Sequence, residues 1–334
     1  MQINWNELGF GYMPTRSNIR FTYANGKWSD GVLTADATVT LSIAANCIHY
    51  GQALFEGGKA FTCADGRVCC FRPDENGRRL NLTASYLQMP EFPVDKYVEA
   101  VKMLIRDNID YVPPYGTGGA LYIRPVMFGT SAQIGVKPSL EYELIIMVVP
   151  VGAYYKDGIT PIKAFIPEHI DRAAPYGTGH IKTAGNYGAS LYPSRIAHEN
   201  GCEVALFLDP KEHKYIEEFG TSNFIGITKE GVYVTPESRS ILNSITNKSL
   251  IELAGDLGIP VERRQVPLEE LGEFVEVGSC GTAVVLTPVE EIVYGDRVFR
   301  YSKQIGPVLQ RLYSAMTDMQ NGIAPDTRGW LVEV

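Results

Sequence analysis

A chain of 334 residues has room for two domains of ordinary size, and 45% apolar with 20% charged residues is the make-up of a globular protein in water. The formal charge of −8 argues against nucleic acid or anionic lipid as partners, because both recruit clustered Lys and Arg. No stretch approaches the roughly 18 apolar residues of a membrane helix, and the first 25 residues lack a charged-then-apolar signal pattern, so a cytoplasmic protein acting on small molecules is expected. Six cysteines include no C-x-x-C pair and five histidines no H-E-x-x-H spacing, so neither a disulfide framework nor a metal site is expected.

Taken in chain order, short β-rich apolar runs alternate with helix-period segments, which predicts a mixed α and β fold of the α+β kind. Val98, Val101, Leu104, Ile105 and Ile109 recur at helical spacing between Asp95 and Tyr111. Ala120–Phe128 and Glu143–Val151 read as strands. Gly and Pro then punctuate residues 150–161, so the expected organisation is a smaller domain over 1–150, a linker over 151–161 and a larger domain over 162–334. Beyond the linker, the glycine-rich run 179–188 leads into Ala189–Asn200, which reads as a helix, and Glu203–Leu208, which reads as a strand, an order that places Lys182 near a sheet edge and in the larger domain. Asn243-Ser-Ile-Thr246 suits the start of a helix that continues over Asn247–Leu257, and a last helix covers about Pro307–Met319.

Residues 177–188 (GTGHIKTAGNYG) surround one lysine with small residues, leaving space for a flat ligand to reach the amine. A phosphate-cradling P-loop does not fit, since Ile181 and not Gly precedes Lys182. Downstream, residues 216–223 (IEEFGTSN) and 277–283 (VGSCGTA) each read as a turn when taken alone. Together with Lys182 and the helix start near Asn243 they supply what a phosphorylated pyridine aldehyde needs. That inventory is an amine for an imine, a carboxylate for a ring nitrogen, and backbone N–H groups with hydroxyls for a phosphate.

Six strings carry a more specific likeness: residues 50–61 (YGQALFEGGKAF), 71–80 (FRPDENGRRL), 121–125 (LYIRP), 182–187 (KTAGNY), 218–223 (EFGTSN) and 281–283 (GTA). In content, order and spacing they resemble the branched-chain amino acid aminotransferases, two-domain fold-type IV enzymes dependent on pyridoxal 5′-phosphate. The resemblance runs from about Phe10 to the last helix. It implies that Lys182 is the Schiff-base lysine and catalytic acid–base, that Tyr187 bonds the ring oxygen, and that Glu218, three residues before Thr221, partners the ring nitrogen in preference to Glu217. It further implies that Arg79, or Arg78 if the loop is shifted by one, binds the phosphate together with Ile245, Thr246 and Thr282, and that Thr221 belongs to the cofactor site. On the substrate side it implies an aromatic wall of Phe10, Tyr50, Phe55, Tyr122 and Tyr154, with Arg124 for a second carboxylate and Thr282 and Ala283 for the α-carboxylate. Ile134 and Val136 resemble a loop entering the neighbouring subunit's pocket, which implies a homodimer. The implied reaction moves the amino group of leucine, isoleucine or valine to 2-oxoglutarate, giving branched 2-keto acids and glutamate; D-amino acid aminotransferase and aminodeoxychorismate lyase are the alternatives within the same fold type. The sequence departs from the mammalian members at their C-x-x-C redox pair, where Val284 and Thr287 stand, and Cys280 lies four residues too early to replace it.

Overall fold

The computed structural model describes residues 3–153, 155 and 159–334. The chain forms two compact units, one of residues 1–154, 181–185 and 318–334, the other of residues 155–180 and 186–317.

Among the described residues the first unit holds a nine-stranded sheet in the order Leu331–Glu333, Val68–Phe71, Gly58–Thr62, Ala120–Gly129, Tyr142–Val151, Asn18–Ala24 and Lys27–Trp28, with Val32–Thr34 and Ala53–Phe55 pairing off this path. Its backbone is the long antiparallel pair Ala120–Gly129 and Tyr142–Val151, in register from Ala120↔Val151 to Gly129↔Tyr142. The alternation of a strand gives the two faces different work. Leu54, Ala60, Leu121, Ile123, Met127, Leu144, Ile146 and Val148 pack in one core with Leu80, Ala84, Tyr97, Val101, Leu104 and Ile105 of helices Pro73–Tyr86 and Val94–Asp107. The residues between them, Phe55, Tyr122 and Arg124, point to the opposite face, as does Lys59, the cross-strand partner of Tyr122.

The observed partition differs from the expected one in two respects. Thr183 bridges to Leu54, and the amide of Phe55 donates to the Lys182 carbonyl at 3.2 Å, so the lysine segment belongs to the first unit and not to the later one. Residues 318–334 also return to it, because Leu331–Glu333 pairs with the outer strand Val68–Phe71 and satisfies backbone groups that an edge would leave bare. Both returns are long-range pairings that a reading of local punctuation does not contain.

In the second unit, six strands close on themselves: Asn223–Ile227, Glu276–Gly281, Val285–Tyr294, Ile162–Phe165, Val204–Leu208 and Tyr215–Phe219, the last pairing back to the first through Glu218↔Asn223. Ala164, Leu206, Ile216, Phe224, Val277 and Val289, one from each strand, share a core cluster. Ala205 and Phe207, on the other face of their strand, pack instead with Ala197 of helix Leu191–Glu199. Helix Ile245–Asp256 begins where Ser244, in extended conformation, accepts the Asn247 amide on its hydroxyl at 3.2 Å. Among the described residues no helix is long and apolar enough to cross a membrane.

Candidate active site

The first unit fixes Lys182 by its backbone. Its amide donates to Thr83 Oγ1 at 3.1 Å, its carbonyl accepts from Phe55, and Thr183 Oγ1 donates to the Ala53 carbonyl at 3.2 Å. The amine is thereby delivered to the face bearing Phe55, with Nζ 4.5 Å above that ring. The Arg124 guanidinium lies over the same ring at 4.9 Å and over Tyr122 at 5.1 Å, and donates to Tyr122 Oη at 2.9 Å. Phe10 meets Tyr122 edge-on, centroids 5.0 Å apart. Gly57 is needed beside them, since a Cβ there would overlap Tyr122 Oη. No carboxylate among the described residues pairs with Arg124, and its Nε is buried without a partner.

Glu56 sits at the back of this group, fully buried. Its two oxygens accept from Arg79 Nε and Nη2, both at 2.8 Å, and Oε2 also takes Asn76 Nδ2 at 2.7 Å. Burial pushes the Glu56 carboxyl upward, but the charge and hydrogen bonds of Arg79, with smaller pulls from Lys182 and Asn76, outweigh it and leave the group below its ordinary range. Of the two candidate arginines, Arg79 is the buried one; Arg78 is exposed and held by Asp74 at 2.6 Å and Glu75 at 2.8 Å. Lys59, on the same face as Tyr122, has its amine pushed down to about 8 by burial.

In the second unit, adjacent glutamates of Tyr215–Phe219 have different surroundings. Glu218 Oε1 accepts Arg172 Nη2 at 2.6 Å and the Leu242 amide at 2.9 Å, while Oε2 takes Asn223 Nδ2 at 3.2 Å. Glu217 Oε1 accepts the hydroxyls of Ser238 and Ser240, but its Oε2 is buried with no partner, and burial pushes its carboxyl upward. Glu218 is therefore the acid with a cation matched to it. The turn before Asn223 and the turn after Gly281 lie at one end of neighbouring strands, through the registers Asn223↔Cys280 and Gly281↔Val285. Val285 closes the second turn at φ 62, a region a β-branched residue enters only at a cost of about 1–3 kcal/mol.

Of the residues singled out from the sequence, Lys182, Phe55, Tyr122, Arg124 and Phe10 come together in the first unit, and Arg79 joins them through Glu56 and through Thr83, whose hydroxyl donates to its carbonyl. Tyr50 turns elsewhere, its hydroxyl bonded to the carbonyl of Ile134, and Ile134 and Val136 are exposed. Tyr154 lies outside the described residues. In the second unit Glu218, Ile245 and Thr246 are buried, Tyr187, Thr282 and Ala283 half-buried and Thr221 exposed. No group of three or more His, Cys, Asp or Glu is placed to hold a metal among the described residues. The sequence reading missed Glu56, Thr83, Asn223 and Arg172. Glu56 lies between the strands Ala53–Phe55 and Gly58–Thr62 in a run that also holds two glycines and Lys59, so no local signal marks it, nor Thr83.

The first unit thus offers a lysine poised over an aromatic ring, and the second, taken by itself, offers a buried carboxylate matched to a guanidinium and a capped helix start. The family model for amino-transferase class IV matches residues 53–292, and the chain belongs to that family. Within it the chain stands among the branched-chain-amino-acid aminotransferases: it is 43% identical to the one from Haemophilus influenzae over 340 residues, covering 99% of each, and 38% identical to the one from Mycobacterium tuberculosis H37Rv, covering 98% of this chain and 92% of that one. Among solved structures it is similar to the branched-chain amino acid aminotransferase of Escherichia coli, with a TM-score of 0.77 at 29% identity over 94% of this chain and 98% of that one. It is also similar to the branched-chain amino acid aminotransferase from Thermobaculum terrenum, solved in its PLP-form, with a TM-score of 0.76 at 26% identity, covering 96% of this chain and 98% of that one.

Proposed function

We propose that this chain is a branched-chain-amino-acid transaminase, transferring the amino group of leucine, isoleucine or valine to 2-oxoglutarate with pyridoxal 5′-phosphate as cofactor. The donor set fits that group. Lys182 Nζ would hold it covalently, Glu218 would take the ring nitrogen and Tyr187 the ring hydroxyl. Arg79, the first-turn amides of Ile245 and Thr246, and the hydroxyls of Thr246, Thr221 and Thr282 would hold the phosphate, since the Ser244 cap uses the Asn247 amide and not those two. When bound, the cofactor supplies the electron sink that makes the substrate Cα–H acidic. Lys182 Nζ would act as the general base and acid that moves the substrate Cα proton. Glu218 keeps a proton on the ring nitrogen. Thr282 and Ala283 would orient the α-carboxylate.

The observation that carries the substrate reading is the pairing of Arg124 with aromatic rings and, among the described residues, with no acid. Phe55, Tyr122 and Phe10 offer an apolar wall for a branched side chain. Arg124 gives that wall an anion-binding edge for the distal carboxylate of glutamate or 2-oxoglutarate. Similar proteins have been solved with N-(5′-phosphopyridoxyl)-L-glutamate and with 4-methylvaleric acid, an acidic and an apolar ligand in turn. Ile43, Ile134, Val136 and Leu140 are all exposed large hydrophobics in the first unit, 91%, 67%, 84% and 73% exposed respectively, and we assign them to the interface of a homodimer. We place the enzyme in the cytoplasm, where its six free thiols would stay reduced.

Purified protein assayed with leucine, isoleucine, valine, D-alanine and an aromatic amino acid against 2-oxoglutarate tests the assignment. Branched L-substrates should dominate; a preference for D-alanine would replace the reading with a D-amino acid aminotransferase. Borohydride reduction followed by peptide mapping should place the cofactor mass on Lys182. Lys59 is the control, since its lowered amine is the second nucleophile on the same face.

A further inference from the structure

Arg172 has no role in the scheme above, yet it is the cation committed to Glu218. Both side chains are nearly sealed, at 7% and 4% exposure. The Arg172 Nη2 that meets Glu218 also donates to the carbonyls of Gly179, at 2.8 Å, and of Ser240. The arrangement is sterically enforced. A Cβ on Gly179 would overlap the Ser240 carbonyl and press on the Arg172 guanidinium, so only glycine lets that loop close on the arginine.

Two buried carboxyls compete for this one guanidinium. Glu217 is tied to the same network by Ser240, whose hydroxyl donates to Glu217 Oε1 while its carbonyl receives Arg172. A carboxylate at Glu217 would leave Oε2 charged, buried and unpartnered, the most expensive state open to it. A neutral acid there costs less and leaves the arginine's charge matched to Glu218 alone.

We propose that Arg172 is a positioning residue for the transamination: its guanidinium holds Glu218 charged and aimed, so that the carboxylate can keep a proton on the cofactor's ring nitrogen. This rests on the reading of Glu218 as the ring-nitrogen partner. Arg172 touches no reacting atom, and Glu217 takes no part in holding Glu218.

The test uses holoenzyme reconstituted with cofactor labelled with nitrogen-15 in the ring, whose resonance separates a protonated from a bare pyridine nitrogen, together with single half-reaction kinetics on leucine. Glu218→Gln should move the resonance to the bare position. Arg172→Gln should move it the same way at least in part and lower kcat by about 10-fold or more, with KM for leucine changed by less than about 3-fold, as expected for loss of a preorganised charge. Glu217→Gln should leave both readouts unchanged. Arg172→Lys keeps the charge without the planar fork, so the protonated resonance should persist while kcat still falls by a few-fold. A protonated resonance and an undiminished kcat in Arg172→Gln, beside a bare nitrogen in Glu218→Gln, would overturn the positioning role while sparing Glu218. A protonated nitrogen in Glu218→Gln would instead remove the underlying reading and the inference with it. If Arg172→Gln does not fold, unchanged resonance and kcat in Arg172→Lys would overturn the role.

Discussion

At Arg124 a guanidinium rests on two aromatic rings and on a phenol oxygen, with one nitrogen buried bare. A cation so placed loses little when the substrate side chain is apolar and gains a charge-assisted contact when it carries a carboxylate. Arg124→Gln should therefore raise KM for 2-oxoglutarate and glutamate by about 10-fold or more while moving that for leucine by less than about 3-fold. The two half-reactions measured separately check this, and equal losses would make Arg124 structural. The Tyr122 hydroxyl that steadies it lies where a Cβ on residue 57 would be. Gly57→Ala should thus displace the phenol, break its bond to Arg124 and reproduce part of the Arg124→Gln kinetics, at a stability cost of about 1–3 kcal/mol typical of overpacking. Kinetics and urea unfolding of the variant settle both parts. The motif strings singled out the lysine and the arginines as candidates, but not their buried counter-charges. Arg79 and Glu56 stand 23 residues apart in sequence, and nothing local to either announces the other.

Among the elements, apolar runs and spacings disclosed the strands Ala120–Gly129 and Tyr142–Val151 and the helices Val94–Asp107, Ile245–Asp256 and Pro307–Gln320 to within a few residues. Helix Pro73–Tyr86 escaped notice for a physical reason. Its buried side includes Asn76, Gly77, Arg79 and Thr83, residues spent on Glu56, on close packing and on the Lys182 backbone, so Leu80 and Ala84 alone leave too short an apolar period to be seen. The closed ring of the second unit was equally hidden, because its closure depends on Glu218↔Asn223 and two parallel pairings that no local pattern encodes. Helix Ile245–Asp256 was visible from its cap. Ser244→Ala removes the oxygen that takes the Asn247 amide and should lower stability by about 1 kcal/mol, measured by urea unfolding of the apoprotein. It should also weaken cofactor retention in dialysis, because the first-turn amides assigned to the phosphate would fray.

For the whole molecule, two buried carboxyls give the pH dependence of stability opposite signs. Glu56 is held below its unfolded value, so its contribution is full above the usual carboxylate range and is lost as pH falls through the lowered folded value. Glu217 is raised, so its contribution is full below the unfolded value and is lost as pH climbs through the raised folded value. Melting temperatures of the apoprotein from about pH 3 to pH 9 should show Glu56→Gln less stable near neutrality and flatter toward acid, and Glu217→Gln at least as stable as the parent near neutrality, with the decline on the alkaline side reduced. A fall on both sides for Glu217→Gln would mean that it is ionised in the fold. The return of residues 318–334 to the first unit has a consequence for birth on the ribosome. During synthesis the rim strand Val68–Phe71 waits for its neighbour Leu331–Glu333 until the whole of 155–317 has been translated, so the half of the protein made first is finished last. A chain cut short near residue 318 would hold a complete later unit and an early one with an open edge, the form most prone to pair with the wrong chain.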